Sequence, residues 1–193
     1  GVDPRATPTR TVATPGFEYW ESRGAIGYLT LAAICRAQIE NPPPHARVIV
    51  AAHTFPTGVL GYWVRQLAEA ELTALMTANS PPQLASPAGG PRLAGTNPLA
   101  IGVPSSDGRP LVTDVSMGAV TYGDVIRGAA TREDLVPFGG EQAHKSFALA
   151  VGLHVMVDSL TGLDDGYGSV LVVAPSQTDS VRRLRELVGD LRG

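Results

Sequence analysis

The order of apolar segments predicts an α/β fold. Runs of five to seven apolar residues, the length of a buried strand, alternate with longer stretches whose apolar residues recur at helical spacing. The 22 Gly and 16 Pro are spread along the chain rather than concentrated, so they mark turns between elements and not a disordered tail. A chain of 193 residues with 44% hydrophobic content can bury a core without disulfides or metal staples.

Residues 1–16 are polar and proline-punctuated and read as an extended N-terminal arm; residues 17–193 read as a single domain. Residues 25–40 form the first expected helix, with Ile26, Leu29, Ala33 and Ile34 at helical spacing. Asn41-Pro42-Pro43-Pro44 ends it, because proline lacks the amide donor and clashes with the preceding turn. Residues 47–52 read as a buried strand, 58–71 as a helix, 72–78 as a strand and 80–98 as a Pro/Gly-rich loop. Two short strands follow, 99–103 and 111–115, joined by the turn Ser105-Ser106-Asp107-Gly108. The helix over 144–160 places Phe147, Val151, His154, Val155 and Asp158 on or beside one face. A strand over 168–174 and a charged amphipathic helix over 176–191 complete the chain, which has no internal repeat.

The net charge of −3 supplies no basic field, so nucleic acid is not an expected partner. No apolar run reaches the roughly 18–20 residues that span a bilayer, and no signal peptide is visible; a membrane is not expected either. Cys35 is the only cysteine, which suits a reducing cytoplasm. The dinucleotide fingerprint G-x-G-x-x-G, the phosphate loop G-x-x-x-x-G-K-[ST], H-E-x-x-H, paired-cysteine metal spacings and G-x-S-x-G are all absent. The four histidines (His45, His53, His144, His154) are too scattered to argue for a metal.

One stretch stands out: Leu93-Ala94-Gly95-Thr96-Asn97-Pro98, running into the apolar strand Leu99-Ala100-Ile101-Gly102-Val103 and Pro104. Gly95 permits close backbone approach, Asn97 can hydrogen-bond locally and Pro98 forces an extended backbone before it. On these grounds alone it is a turn feeding a buried strand. Gly-Thr-Asn-Pro before such a strand also resembles the signature of the malate/L-lactate dehydrogenase family, the non-Rossmann keto-acid and imine reductases. Other segments resemble that family in collinear order over residues 1–175. They are Arg23-Gly24-Ala25-Ile26-Gly27; residues 48–53 with Gly58 and Gly61-Tyr62-Trp63; Thr77-Ala78-Asn79-Ser80-Pro81; Thr113-Asp114-Val115-Ser116-Met117 with Tyr122-Gly123; Val136-Pro137-Phe138-Gly139-Gly140; and His144-Lys145-Ser146-Phe147-Ala148-Leu149-Ala150 closing at Leu160-Thr161-Gly162. The segment Thr113-Asp114-Val115-Ser116-Met117 with Tyr122-Gly123 is most similar to the diketogulonate-reductase branch.

The resemblance implies a mixed sheet flanked by helices, built as a non-Rossmann cofactor-binding core. It implies NADH or NADPH as cofactor, held by Thr96, Asn97, the segment Val112, Thr113, Asp114, Val115 and Ser116, and the pair His144 and Lys145. A Lys is a compact cation suited to phosphate. Asp114 is an acceptor-only carboxylate that could hold a ribose hydroxyl or orient an imidazole, or else a solvated strand end. His53 follows an apolar strand, where α/β proteins often build sites, or is satisfied by a nearby loop carbonyl. His154 reads as a half-buried helix residue, His45 as exposed, and Tyr19 and Trp20 as core or interface.

The chain departs from the family pattern as if truncated at both ends. It has no S-H-G segment, which carries the family's catalytic His and lies upstream of the part matching Gly1; only residues 127–135 join the Asp114 strand to Gly139-Gly140; and the C-terminal P-G-x-E-like contact is missing. Reduction of a carbonyl or imine needs a proton donor, and the candidates are His53 and His144, with Asp114 completing the catalytic set. The expected function is NAD(P)H-dependent reduction of a 2-keto acid or related cyclic imine, a small-molecule substrate. Open alternatives are a split-enzyme subunit completed by a chain carrying the missing segment, a binding or scaffold protein, and a non-redox enzyme using the old pocket. Family members pair as intertwined dimers, so a cytoplasmic homodimer is expected.

Overall fold

The computed structural model of the protein describes residue 3 and residues 5–190. Among the described residues nine strands and five α-helices succeed one another, with a 3-10 turn (Gly140–Gln142) before the fourth helix: β1 (Thr9–Ala13), β2 (Phe17–Glu21), α1 (Gly27–Glu40), β3 (Arg47–Ala52), α2 (Leu60–Glu69), β4 (Leu72–Ala78), β5 (Leu84–Ala85), β6 (Arg92–Ala94), β7 (Leu99–Val103), β8 (Leu111–Val115), α3 (Tyr122–Ile126), α4 (Ala143–Thr161), β9 (Ser169–Pro175) and α5 (Ser180–Asp190). Seven strands form a mixed sheet in the order β1-β2-β3-β9-β4-β7-β8, with β2 and β3 parallel and every other pair antiparallel. The expected α/β class with a mixed sheet flanked by helices is what the chain forms.

Side-chain alternation shows how the layers sit. Ile49 and Ala51 of β3 enter a core with Leu31 and Ile34 of α1 and Leu60, Val64 and Leu67 of α2, while Val50 between them meets Val157 of α4. Helices α1 and α2 therefore cover one face of the sheet and α4 the other. Because both faces of β3 are covered, Val48-Ile49-Val50-Ala51-Ala52 is one continuous apolar run rather than an alternating one. Under the β5–β6 hairpin a smaller core gathers Leu84, Ala94, Met117, Ala150 and Leu153. No helix among the described residues is long and apolar enough to cross a membrane.

Several expectations are corrected. Part of the supposed arm, Thr9–Ala13, is the edge strand β1, paired with β2, which was also not foreseen. β1 is polar enough to look like loop, since little of its surface is covered, and in β2 two glutamates interrupt the aromatic residues. The 80–98 loop contains the β5–β6 hairpin, and the connection after β8 contains α3, opened by a capping box between Thr121 and Asp124. The buried stripe of α1 runs through Thr30, Leu31, Ile34, Cys35 and Gln38, leaving Leu29 exposed. On α4 the buried stripe is Ala143, Ser146, Ala150, Leu153, Val157 and Thr161. Small residues let that helix lie close to the sheet, so Phe147 and Val151 only flank it and Val155 faces outward. The last helix starts at Ser180, four residues later than expected, and Leu191 lies outside the described residues. Trp20 is in the core and His45 is exposed, as expected.

Candidate functional site

The site is built where β8 passes the start of α2. Pairing of β7 with β8 sets Asp114 opposite Ala100, on the side of the sheet that α2 covers. The first amides of a helix have no partner inside it and carry partial positive charge. Asp114 Oδ2 accepts the Gly61 N–H of α2 at 2.6 Å. Gly61 makes room for this, because a Cβ there would stand 3.2 Å from both Asp114 Cβ and Oδ2. The walls around Asp114 displace water and push its carboxyl above the usual carboxylate range, although the Gly61 and Leu60 amides pull the other way. Burial wins over the two amides, even though the residue stays open to the adjoining cavity.

That cavity, about 660 Å³, is lined by Tyr28, Thr96, Asp114, Ser116, Tyr122 and Arg127 together with the loop before α2 and the Asn79-Ser80 corner after β4. The Tyr28 ring lies over Gly58, whose φ of 69° and missing Cβ both suit the position; a Cβ would come within 2.6 Å of the phenol oxygen. A second cavity of about 330 Å³ shares Asp114, Ser116 and Thr121 with the first and adds Gly118, Asp124 and Phe138. A third, about 820 Å³, shares Ala119 and Phe138 with the second and runs between the 83–92 hairpin and the start of α4. The three form one branched groove along the end of β8, from the N-terminus of α2 to that of α4.

The residues singled out from the sequence divide between the groove and the scaffold. Thr96, Asp114 and Ser116 line the cavity of about 660 Å³, and Val115 the one of about 330 Å³. Val112 instead packs into the main core, and Thr113, one residue on, faces away on the uncovered side of β8. Asn97 is fully buried, its Nδ2 donating to the Ala150 carbonyl of α4 at 2.8 Å. His144 and Lys145 are exposed in the first turn of α4, next in sequence to Ala143 of the third cavity. His53, in a left-handed conformation at φ 58°, follows β3 with Nδ1 3.3 Å from Glu21 Oε2 and its ring against Gly166. It lines none of the three cavities.

The catalytic set His53, Asp114 and His144 is therefore not brought together: Asp114 alone of the three lines the groove, and it orients no imidazole. The positive φ at His53 turns its side chain out of the line of the strand and toward β2. Sequence reasoning missed Tyr28, Asn79, Ser80, Tyr122 and Arg127. Asn79-Ser80 carried a signal, being part of a matching segment, but Tyr28 and Arg127 carried none. Among the described residues no group of three or more His, Cys, Asp or Glu could hold a metal.

The malate/L-lactate dehydrogenase family model matches residues 1–139. The chain belongs to that family. A pyrroline- and piperideine-2-carboxylate reductase of Pseudomonas putida is 26% identical over 187 residues, covering 83% of this chain and 54% of that protein. A (2R)-3-sulfolactate dehydrogenase of Chromohalobacter salexigens is 32% identical over 158 residues, covering 69% of this chain and 46% of its own length. Among solved structures, the piperideine-2-carboxylate reductase of Pseudomonas syringae superposes with a TM-score of 0.82 at 25% identity, over all of this chain and 70% of that one. The malate dehydrogenase of Pyrococcus horikoshii reaches 0.76 at 18% identity and shares the fold. The chain spans about half the length, or less, of the curated relatives it matches.

Proposed function

We propose that the protein binds NADH or NADPH in the groove and takes part in reducing a 2-keto acid or a related cyclic imine carboxylate. The observation that carries this reading is Asp114: one oxygen fastened to the α2 N-terminus, the carboxylate open to a cavity of about 660 Å³, in a member of this family. Relatives named as reductases of pyrroline and piperideine carboxylates and as sulfolactate and malate dehydrogenases supply the substrate class.

The residues present fit such a cofactor. The cavities have the size of small-molecule sites, and Asp114 has acceptor capacity beyond its bond to Gly61. In this reading Asp114 holds a ribose hydroxyl, Thr96 and Ser116 offer hydroxyls along the floor, and Lys145 at the far end of the groove meets phosphate. When bound, the nicotinamide supplies the hydride. The chain's own work is orientation: Tyr28 and Tyr122 wall the cavity with aromatic surface, and Arg127 brings a cation to its rim for a substrate carboxylate. Cys35 takes no part, since it is buried and its thiol is pushed up to about 12 by burial. A homodimer working in the cytoplasm belongs to the same reading.

The test is fluorescence titration of the purified protein with NADH and with NADPH, repeated with Lys145→Ala. Saturable binding that weakens about tenfold or more in the variant supports the reading, as expected for a lost charge-assisted contact. Absence of binding to either nucleotide removes it.

A further inference from the structure

Behind the Ser80–Thr96 wall of the cavity lies a chain of polar side chains that the proposed function does not use. Asn79 sits at the cavity, its Oδ1 accepting the Gly168 N–H at 2.7 Å and its Nδ2 donating to Asp158 Oδ1 at 2.5 Å. Asp158 Oδ2 is 3.5 Å from His154 Nε2, one turn earlier on α4. On its other side His154 Nδ1 is 3.3 Å from Asn97 Nδ2. An amide nitrogen only donates, so Nδ1 must accept, and the imidazole carries its proton on Nε2, toward Asp158. His154 is largely buried, with 13% of its side chain exposed.

Asn97 is the point where this chain meets the wall. Its φ of 23° is left-handed, its side chain is fully buried, and its Oδ1 is the one buried side-chain polar atom without a partner among the described residues. That oxygen lies against Gly95, where an added Cβ would be 2.7 Å from it and would also overlap the Ser80 hydroxyl. The neighbouring Thr96 carbonyl is fixed by the Met117 N–H at 2.8 Å, so Asn97, Gly95, Ser80 and Thr96 form one packed unit at the edge of the cavity.

We infer that His154 is a positioning residue whose protonation state sets the orientation of the Asn97 amide and, through it, the Ser80–Thr96 wall. A proton on Nδ1 turns the acceptor into a donor facing a donor. The amide must then leave His154 or turn over. Turning over sets Oδ1 against the Ala150 carbonyl and carries Nδ2 to the Gly95–Ser80 side, exchanging an acceptor for a donor there. Asp158 is the charged group facing His154 from its own helix. The strands packed against α4 (β3, β4, β6 and β9) contribute only Arg47 and Arg92 as titratable side chains, and the 3-10 turn at 140–142 contributes Glu141 at the helix's far end. Arg47 is held by Glu18 and Gln38, and Arg92 by the Gln83 carbonyl. For ligand binding the inference rests on the nicotinamide reading; for the coupling itself it does not.

Two measurements separate these. In ¹⁵N-labelled protein, NMR should find His154 as the Nε2–H tautomer at about pH 8, and the Asn97 side-chain amide and the Gly95 and Thr96 backbone amides should shift with the same midpoint as the ring. NADPH affinity should fall about tenfold more between about pH 8 and pH 5.5 in the wild type than in His154→Gln, which keeps an acceptor for Asn97 but does not titrate. An Nδ1–H tautomer, or amides at Gly95 and Thr96 that stay still while His154 titrates, overturns the inference. Equal pH dependence in both proteins also overturns it. Intact NMR coupling with no NADPH binding at any pH upholds the positioning role and removes the nicotinamide reading instead.

Discussion

Replacing Asp114 by Asn separates what the carboxylate does for folding from what it does for a ligand. An Asn side chain in the same place still presents an oxygen to the Gly61 N–H, now held at 2.6 Å by the carboxylate. Going from a charged to a neutral acceptor forfeits about 1 kcal/mol, and removing an anion from a helix N-terminus another ~0.3–1 kcal/mol. Against this stands the loss of hydration at Asp114, which outweighs the two amides and raises its carboxyl. A raised carboxyl binds its proton more tightly in the folded than in the unfolded chain. Its favourable contribution is complete below the unfolded value, near pH ~4, and is lost as pH rises through the folded value. At pH 7 the Asn variant should thus be at least as stable as the wild type, with the difference shrinking in acid where both side chains are neutral. NADPH binding should move the other way, weakening roughly 5- to 30-fold as a charge-assisted bond to a hydroxyl becomes a neutral one. Urea unfolding at about pH 7 and 4, with fluorescence titration, reads both. A loss of more than about 0.5 kcal/mol at pH 7, or an unchanged Kd, would refute the reasoning.

Three further outcomes are expected. Gly102→Ala should destabilise by about 3 kcal/mol or more and lower Tm by roughly 6–12 °C in calorimetry, since the new methyl would overlap the Val64 carbonyl of α2, whose carbon is only 2.9 Å from it. Helix α5 should detach in strong acid. Asp107 is held well below the usual range by the Arg109 N–H, with Ser105, Arg109 and Arg185 adding to it, and Asp179 is held at about 2 by the Ser106 hydroxyl and the Arg182 and Ser106 amides. These depressed carboxyls contribute above the unfolded range and lose that contribution as pH falls through the folded values, so the protection of the 180–190 amides, taken relative to the intrinsic exchange rate at each pH, should be present at about pH 5 and lost near pH ~2. Arg185→Ala, which removes the contacts to Asp107 and the Arg109 carbonyl, should lower that protection already at about pH 5. Light scattering should report a homodimer, and a monomer at micromolar concentration removes that part of the reading.

Arg47–Ala52, Leu72–Ala78 and Leu99–Val103 were legible because burial on one or both faces leaves a largely apolar run, and the edge strand Leu111–Val115 because it follows a Pro and a Ser-Ser-Asp-Gly turn. β1 was invisible because an edge strand needs little apolar surface, and β2 because two glutamates interrupt its aromatic residues, Glu18 being buried only by virtue of Arg10, Arg47, Gln38 and Trp20 around it. The site divided the same way. Asp114 could be named from its segment, but its helix-terminal partner comes from tertiary packing 53 residues away. Asn97 sits in the same motif as Thr96, yet its backbone turns it inward while Thr96 meets the cavity. His53 was misplaced because a strand followed by His says nothing of the left-handed turn that aims the ring at Glu21.

Strand β9 has a consequence for how the molecule comes into being. It lies between β3 and β4, so the trio β1-β2-β3 and the trio β4-β7-β8 are hydrogen-bonded to each other only through it. During synthesis both trios are complete by residue 115, yet each keeps an unpaired inner edge until residues 169–175 emerge. Such edges invite pairing with other chains, and closure by a distant segment is slow. The interval between the two events is a window for misassembly that a chaperone would have to cover. It also makes the protein divisible: a piece ending before β9 should stay open along the middle of its sheet until a peptide spanning 164–190 is added in trans.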